Sequence, residues 1–167
     1  MLGRDELQRM QREQFRHDEH NHKDILYLPK PDRLKHYGLH FAKYVGRLAR
    51  GSSEEKSEEQ TLIDAILVSL SAANMLLQDL SKAELSAEGQ TDAYLDPLRA
   101  LADASGRFAD ACEKLDHYEE GRTIALAANL DIMRWLLNAA EQRKVDVKLA
   151  LKQRRADLAK RHFYLAE

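Results

Sequence analysis

One stretch limits the architecture more than any other: Gln60 to Leu80, QTLIDAILVSLSAANMLLQDL, which carries a single charge before its last residues. Ile63, Ile66, Leu70, Ala73 and Leu77 advance by three and four and share one helical face. Leu62, Leu67, Val68, Met75 and Leu76 cover most of the remaining circumference, as in a helix enclosed on nearly every side. The exception is Asp64, a carboxylate that needs a cation, a metal or hydrogen-bond donors once it is covered. The pattern occurs twice. Offsets of −1, +2, +6 and +9 from Asp131 give Leu130, Met133, Leu137 and Ala140, matching Ile63, Ile66, Leu70 and Ala73 around Asp64.

The rest of the chain supports an all-α reading. Seven glycines and three prolines in 167 residues, with hardly any alternating β-branched runs, leave little from which to build strands. We expect a bundle of about six helices. A polar helix over 4–18 offers only Leu7, Met10 or Gln11, and Phe15 inward, and is assigned to the outside. The segment 17–32, with two prolines, reads as an ordered connection. Asp32 is expected to cap a helix over 33–50 with the stripe Leu34, Tyr37, Phe41, Val45 and Leu48. A serine cap and an acidic first turn precede the central helix, and 81–96 reads as a short helix or the hinge between halves. Asp96 and Pro97 open a helix to about 118 with Leu98, Leu101, Phe108, Cys112 and Leu115 inward. A further helix spans 122–143, and Asp146 caps a basic one running to about Tyr164.

Composition excludes several functions. A net charge of −2 argues against a nucleic-acid surface, and the longest uncharged run, 65–78, is too short to span a bilayer. The N-terminal stretch lacks an apolar signal core, so the expected location is cytoplasmic. Cys112, the lone cysteine, rules out an internal disulfide and reads as a packed thiol. His17, His20 and His22 read as solvated loop residues before they read as metal ligands, and His36 and His40 lack the glutamate of a zincin motif.

The second and fourth helices also correspond. AKYVGRLA at 42–49 aligns without gaps on ADASGRFA at 102–109, and each precedes a helix with a lone aspartate, 18 positions after the glycine in one case and 25 in the other. Duplication is the economical reading, with a first repeat over 1–85 and a second over 86–167 forming one compact unit.

These residues resemble the all-α nucleoside triphosphate pyrophosphohydrolases of the MazG and dimeric dUTPase kind. FAKYVGRLA and LADASGRFADA are similar to the family's LAEEVGELAEA helix, TLIDAIL and ANLDIMR to its EELADVL helix, and VDVKLALKQRRADLAKRHF to its closing basic helix. The resemblance implies a nucleotide or other phosphorylated ligand, and Mg²⁺ held by an ExxE and an ExxD pair. Here those positions read Tyr44, Arg47, Thr61 and Asp64 in one half, and Ala104, Arg107, Ala128 and Asp131 in the other. One carboxylate of four remains in each. Asp64 and Asp131 are thus the only candidate metal ligands, and no cofactor is expected unless hydrolysis persists, in which case it is Mg²⁺. Asp103 and Asp110 fall on the side of their helix opposite Leu101 and Phe108, as solvated surface.

The leading expectation is a degenerate MazG-like protein that binds a nucleotide-like small molecule without ordinary Mg²⁺-dependent hydrolysis. Its alternatives are a divergent pyrophosphohydrolase drawing on Asp131 with Asp103, Asp110 or Glu113, and a helical protein-interaction module. Homo-oligomerisation is left open. Arg47 is expected to pair with Asp64 and Arg107 with Asp131, each guanidinium standing where the metal would bind. Trp135, four residues beyond Asp131, is a candidate base-stacking ring that places any nucleotide site in the second half. In the last helix Arg154 and Lys160 are candidate phosphate contacts.

Overall fold

A computed structural model describes residues 2–82 and 96–161. Within them the chain forms seven α-helices: α1 Arg4–Asn21, α2 Lys23–Leu26, α3 Lys30–Arg50, α4 Glu58–Leu76, α5 Pro97–Asp116, α6 Arg122–Gln142 and α7 Val147–Ala159. The architecture is an all-α bundle. No helix among the described residues is long and apolar enough to cross a membrane. The expected hinge over 81–96 and the boundary at 85 fall largely outside the described residues, whereas the last helix, expected to reach about Tyr164, ends at Ala159.

Helix starts follow the local chemistry. Ser57 accepts the amide of Gln60, Asp96 that of Leu98, and Asp146 that of Leu149, so three side-chain oxygens each satisfy one orphan donor. At α3 the expectation fails: the helix begins at Lys30, with Pro31 in its first turn, and Asp32 lies inside it. Proline has no N–H to lose and a φ suited to the first turn, so it starts this helix where it was expected to prevent one. The central helix also stops early. Leu77 turns left-handed (φ 56°), and the Gln78 amide bonds back to the Ala73 carbonyl. The Leu77 side chain, expected inward, is exposed.

Four long helices make the core. α3 packs on α4 and α5, and α6 packs on α4 and α5, with Leu62, Ile66, Leu70, Phe108, Ile132, Met133 and Leu136 fully covered between them. Phe41 and Phe108 meet edge to face at 4.9 Å. α3 and α5 lie close together at Gly38, where a Cβ would meet Cys112 Sγ at 3.4 Å. Gly46 and Gly106, the glycines that carry the resemblance, make no such contact with a neighbouring helix.

α1 is the largest departure from the sequence expectation. It lies against α4 and the turn Leu80–Lys82, and it buries Gln11, Gln14, His17 and Asp18 together with Leu7 and Met10, while Phe15 faces solvent. The helix continues through His17 and His20, so His17 is not a solvated loop residue but a covered one. The inward face is polar because its partners are polar. Gln11 donates to the Gln78 carbonyl (2.8 Å), accepts from the Leu80 amide (2.9 Å), and its own carbonyl accepts from Asn74 (3.0 Å). These bonds satisfy backbone groups that the early end of α4 leaves open.

Candidate functional site

Where α1, α3, α4 and α7 converge, they enclose a cavity of about 270 Å³. α4 forms its floor: Asp64, Leu67, Val68 and Ser71 recur at helical spacing on one face. α3 supplies His36, Tyr37, His40, Lys43, Tyr44 and Arg47, α1 supplies Gln14 and Asp18, and α7 supplies Arg154 and Leu158, followed by Arg161. Lys56, just before α4, closes one end.

Asp64 is held chiefly by a residue from the far end of the sequence. Arg154 Nε and Nη2 donate to its two carboxylate oxygens at 2.6 and 3.2 Å, a bidentate grip between side chains that are each only 10% exposed. Arg47, the expected partner, stands off at 4.0 Å, with Glu54 at 3.9 Å on its other side, and Lys56 also lies 4.0 Å from Asp64. The expected Arg47–Asp64 pair thus forms at the longer distance, with Arg47 divided between Asp64 and Glu54, while Arg154 from α7 makes the hydrogen bonds.

In the second half Arg107 does meet Asp131, at 2.9 Å, but in a wetter setting, with side-chain exposures of 38% and 21%. Arg134 takes the other Asp131 oxygen at 3.1 Å. Asp103, expected to be plain surface, accepts from Arg107 Nε at 2.9 Å. Trp135 is half-buried, and its indole N–H donates to the Pro97 carbonyl at the start of α5 (2.6 Å). The ring joins α5 to α6, and the cavity described above opens beside Asp64 instead. Lys160 pairs with Asp157 on the surface at 3.1 Å and does not line the cavity.

The histidines of α3 are tuned towards neutrality. Burial, then the nearby Lys43 and His36, push His40 down to about 4, and burial also lowers His36. Neutral His40 accepts from Lys43 Nζ at Nδ1 (2.8 Å). Lys43 also lies 4.8 Å from the centre of the Tyr44 ring, and burial holds that phenol well above its ordinary value. At the α1 end, burial pushes Asp18 upward against hydrogen bonds from Ser71 and Gln14. His17, on the same helix, is pushed down to about 4 by burial and then by His22.

Magnesium, which the resemblance implies, does not suit either carboxylate. Both oxygens of Asp64 are occupied by Arg154, two more cations stand within 4.0 Å, and the positions that would supply further oxygens are Tyr44, Arg47 and Thr61. Asp131 is similarly met by Arg107 and Arg134. A hard dication wants several oxygen ligands and no guanidinium among them. Among the described residues no three His, Cys, Asp or Glu side chains are grouped to hold a metal ion. Cys112 is buried against α3, which pushes its thiol up to about 11, so it is a packed thiol with little nucleophilic character.

Two contributions to this site were not read from the sequence. α1 reads as an outer helix by its weak apolar periodicity, yet Gln14 and Asp18, at helical spacing from the inward candidate Gln11, line the cavity. Tyr44 was noted as a lost carboxylate and is a cavity wall. Compared with family models, curated proteins and solved structures, the chain matches none of them.

Proposed function

We propose that this chain is a ligand-binding helical protein of degenerate MazG-like kind, whose cavity between α1, α3, α4 and α7 takes a nucleotide-like, phosphate-bearing molecule without ordinary Mg²⁺-dependent hydrolysis. The observation that carries this reading is the charge of the lining. Lys43, Arg47, Lys56, Arg154 and Arg161 face Asp18 and Asp64, five cations to two carboxylates, in a chain that is slightly acidic as a whole. Arg154 is committed to Asp64, so the excess near that end falls to Lys43, Arg47 and Lys56. Partly covered cations without a full set of acceptors attract anions, and phosphate oxygens are the acceptors that several of them can share. The flat side chains of His36, Tyr37, His40 and Tyr44 provide a wall suited to a ring. The volume lies near the low end for ligand cavities and suits one mononucleotide-sized molecule.

Calorimetric titration of the full chain with nucleoside monophosphates and ribose 5-phosphate, with and without Mg²⁺, tests the reading. Binding should occur without the metal, be weakened by added salt, and be lost in a Lys43→Gln, Lys56→Gln double variant. Affinity that the double variant retains would move the anion site elsewhere. Pyrophosphate release from a nucleoside triphosphate panel, abolished by Asp131→Ala, would favour the divergent-hydrolase alternative over the proposal.

A further inference from the structure

The cavity has two chemically opposite ends. Along α4, Ser71 follows Asp64 by seven positions, which at the helical rise is ~10 Å. The cations gather at Asp64, whereas at Ser71 the lining residues come from α1. There Ser71 Oγ donates to Asp18 Oδ2 (2.6 Å), and Gln14 Nε2 donates to Asp18 Oδ1 (2.9 Å) and approaches Ser71 Oγ (3.2 Å). Both neighbours of Nε2 accept, so the orientation of the amide is fixed by its surroundings. Gln14 Oε1 is consequently an acceptor without a partner, on a side chain only 3% exposed. Asp18, nearly as covered, uses two of the roughly four acceptor positions of a carboxylate. His22 and Arg155 are close enough to act on Asp18 through their charge, but neither forms an ion pair with it. Within the cavity lining this end presents acceptors, the reverse of the Asp64 end, while the buried Nη1 of Arg155, outside the lining, also lacks a partner.

Resting on the anion-binding reading above, we infer that the cavity reads its ligand from both ends. Lys43, Arg47 and Lys56 hold the phosphate, and Asp18, oriented by Ser71 and Gln14, accepts an N–H group from a nucleobase that carries an exocyclic amine. Leu67 and Val68 of α4, between the two ends, and the Tyr37 ring of α3 line the same cavity and offer a base apolar surface. An amine placed there supplies a donor to the open acceptor positions of Asp18. A ligand ending in acceptors alone would leave those positions unmet and add its own unpaired groups, which is how buried polar sites discriminate.

The test is a calorimetric panel on the full chain: AMP, purine riboside 5′-monophosphate, which differs only by lacking the amine, ribose 5-phosphate, and inorganic phosphate. AMP should bind on the order of 10- to 100-fold more tightly than purine riboside 5′-monophosphate, the range for a hydrogen bond to a charged group. Asp18→Asn should erase that preference and leave ribose 5-phosphate affinity unchanged. Equal affinity for the two purine nucleotides in the unaltered protein overturns the inference while leaving the anion site standing, and so does a preference that survives Asp18→Asn. Should that variant not fold, the comparison in the unaltered chain still decides. Binding of none of the four probes overturns the anion site and this inference together.

Discussion

Removing Arg154 should be far more damaging than removing Arg47, although both guanidiniums lie near the same carboxylate. Arg154 contacts Asp64 at 2.6 and 3.2 Å, whereas Arg47 stands at 4.0 Å and is shared with Glu54. With an effective dielectric of about 20, one charge pair at these separations is attracted by about 5–6 and about 4 kcal/mol respectively before desolvation is subtracted. The gross attractions differ little, so burial and hydrogen bonding decide. Arg154→Met removes both hydrogen bonds from a covered carboxylate and leaves it only Arg47 and Lys56 at 4.0 Å, at a cost of about 3–5 kcal/mol. Arg47→Met leaves the bidentate grip in place and should cost on the order of 1 kcal/mol, in the range of pairs that retain partial solvation. The Asp64→Leu, Arg154→Met double variant should return close to the parent stability, because neither charge is then left unpaired. Urea unfolding followed by far-ultraviolet circular dichroism gives all the terms, and the interaction energy from the cycle should be at least about 2 kcal/mol. An interaction energy below about 0.5 kcal/mol, or equal losses for Arg47→Met and Arg154→Met, would refute the assignment of Arg154 as the residue that neutralises Asp64. The same substitution in the second half, Arg107→Met, removes a half-exposed pair and should cost only about 0.2–1 kcal/mol.

Further predictions concern the glycines, the thiol and the titrating groups. Gly106→Ala should raise stability by about 0.5–1 kcal/mol in the same unfolding assay, since an added Cβ meets nothing within 4 Å and the residue sits inside a helix. Gly121→Ala should lower it by about 1–3 kcal/mol, because the Cβ would lie 2.5 Å from the Ala111 carbonyl oxygen. Cys112 should resist a thiol reagent at neutral pH in the folded protein and react fully in denaturant, as a thiol pushed up to about 11 implies. His17 and His40 are lowered from 6.5 to about 4 in the fold, so their contribution is complete above pH 6.5 and is lost as pH falls towards 4. His40→Gln should flatten the acid limb of a stability-against-pH curve. Asp18 has the opposite sign: its fold-raised value favours the protonated form, so stability declines as pH rises from 3.8 towards that value. Without ligand, Asp18→Asn should therefore be more stable than the parent at pH 7 and similar to it below pH 3.8.

The sequence alone determined the helical class, most of the helix boundaries and the core. Those follow from local causes: the three-and-four spacing of Ile63, Ile66 and Leu70, and the caps Ser57, Asp96 and Asp146, act within a few residues of themselves. The sequence also marked Asp64 and Asp131 as carboxylates in need of cations, because their surroundings along the helix are apolar. It identified Arg107 as the partner of Asp131. Which cation answers Asp64, and where a cavity opens, only the tertiary structure decided. Arg154 lies 90 positions from Asp64, and helical periodicity has no memory over that distance. The placement of α1 was hidden for a related reason. Gln14 and Asp18 look like a solvated face until Ser71 is set opposite them, because a polar side chain is buried only when its hydrogen-bond partners arrive with it.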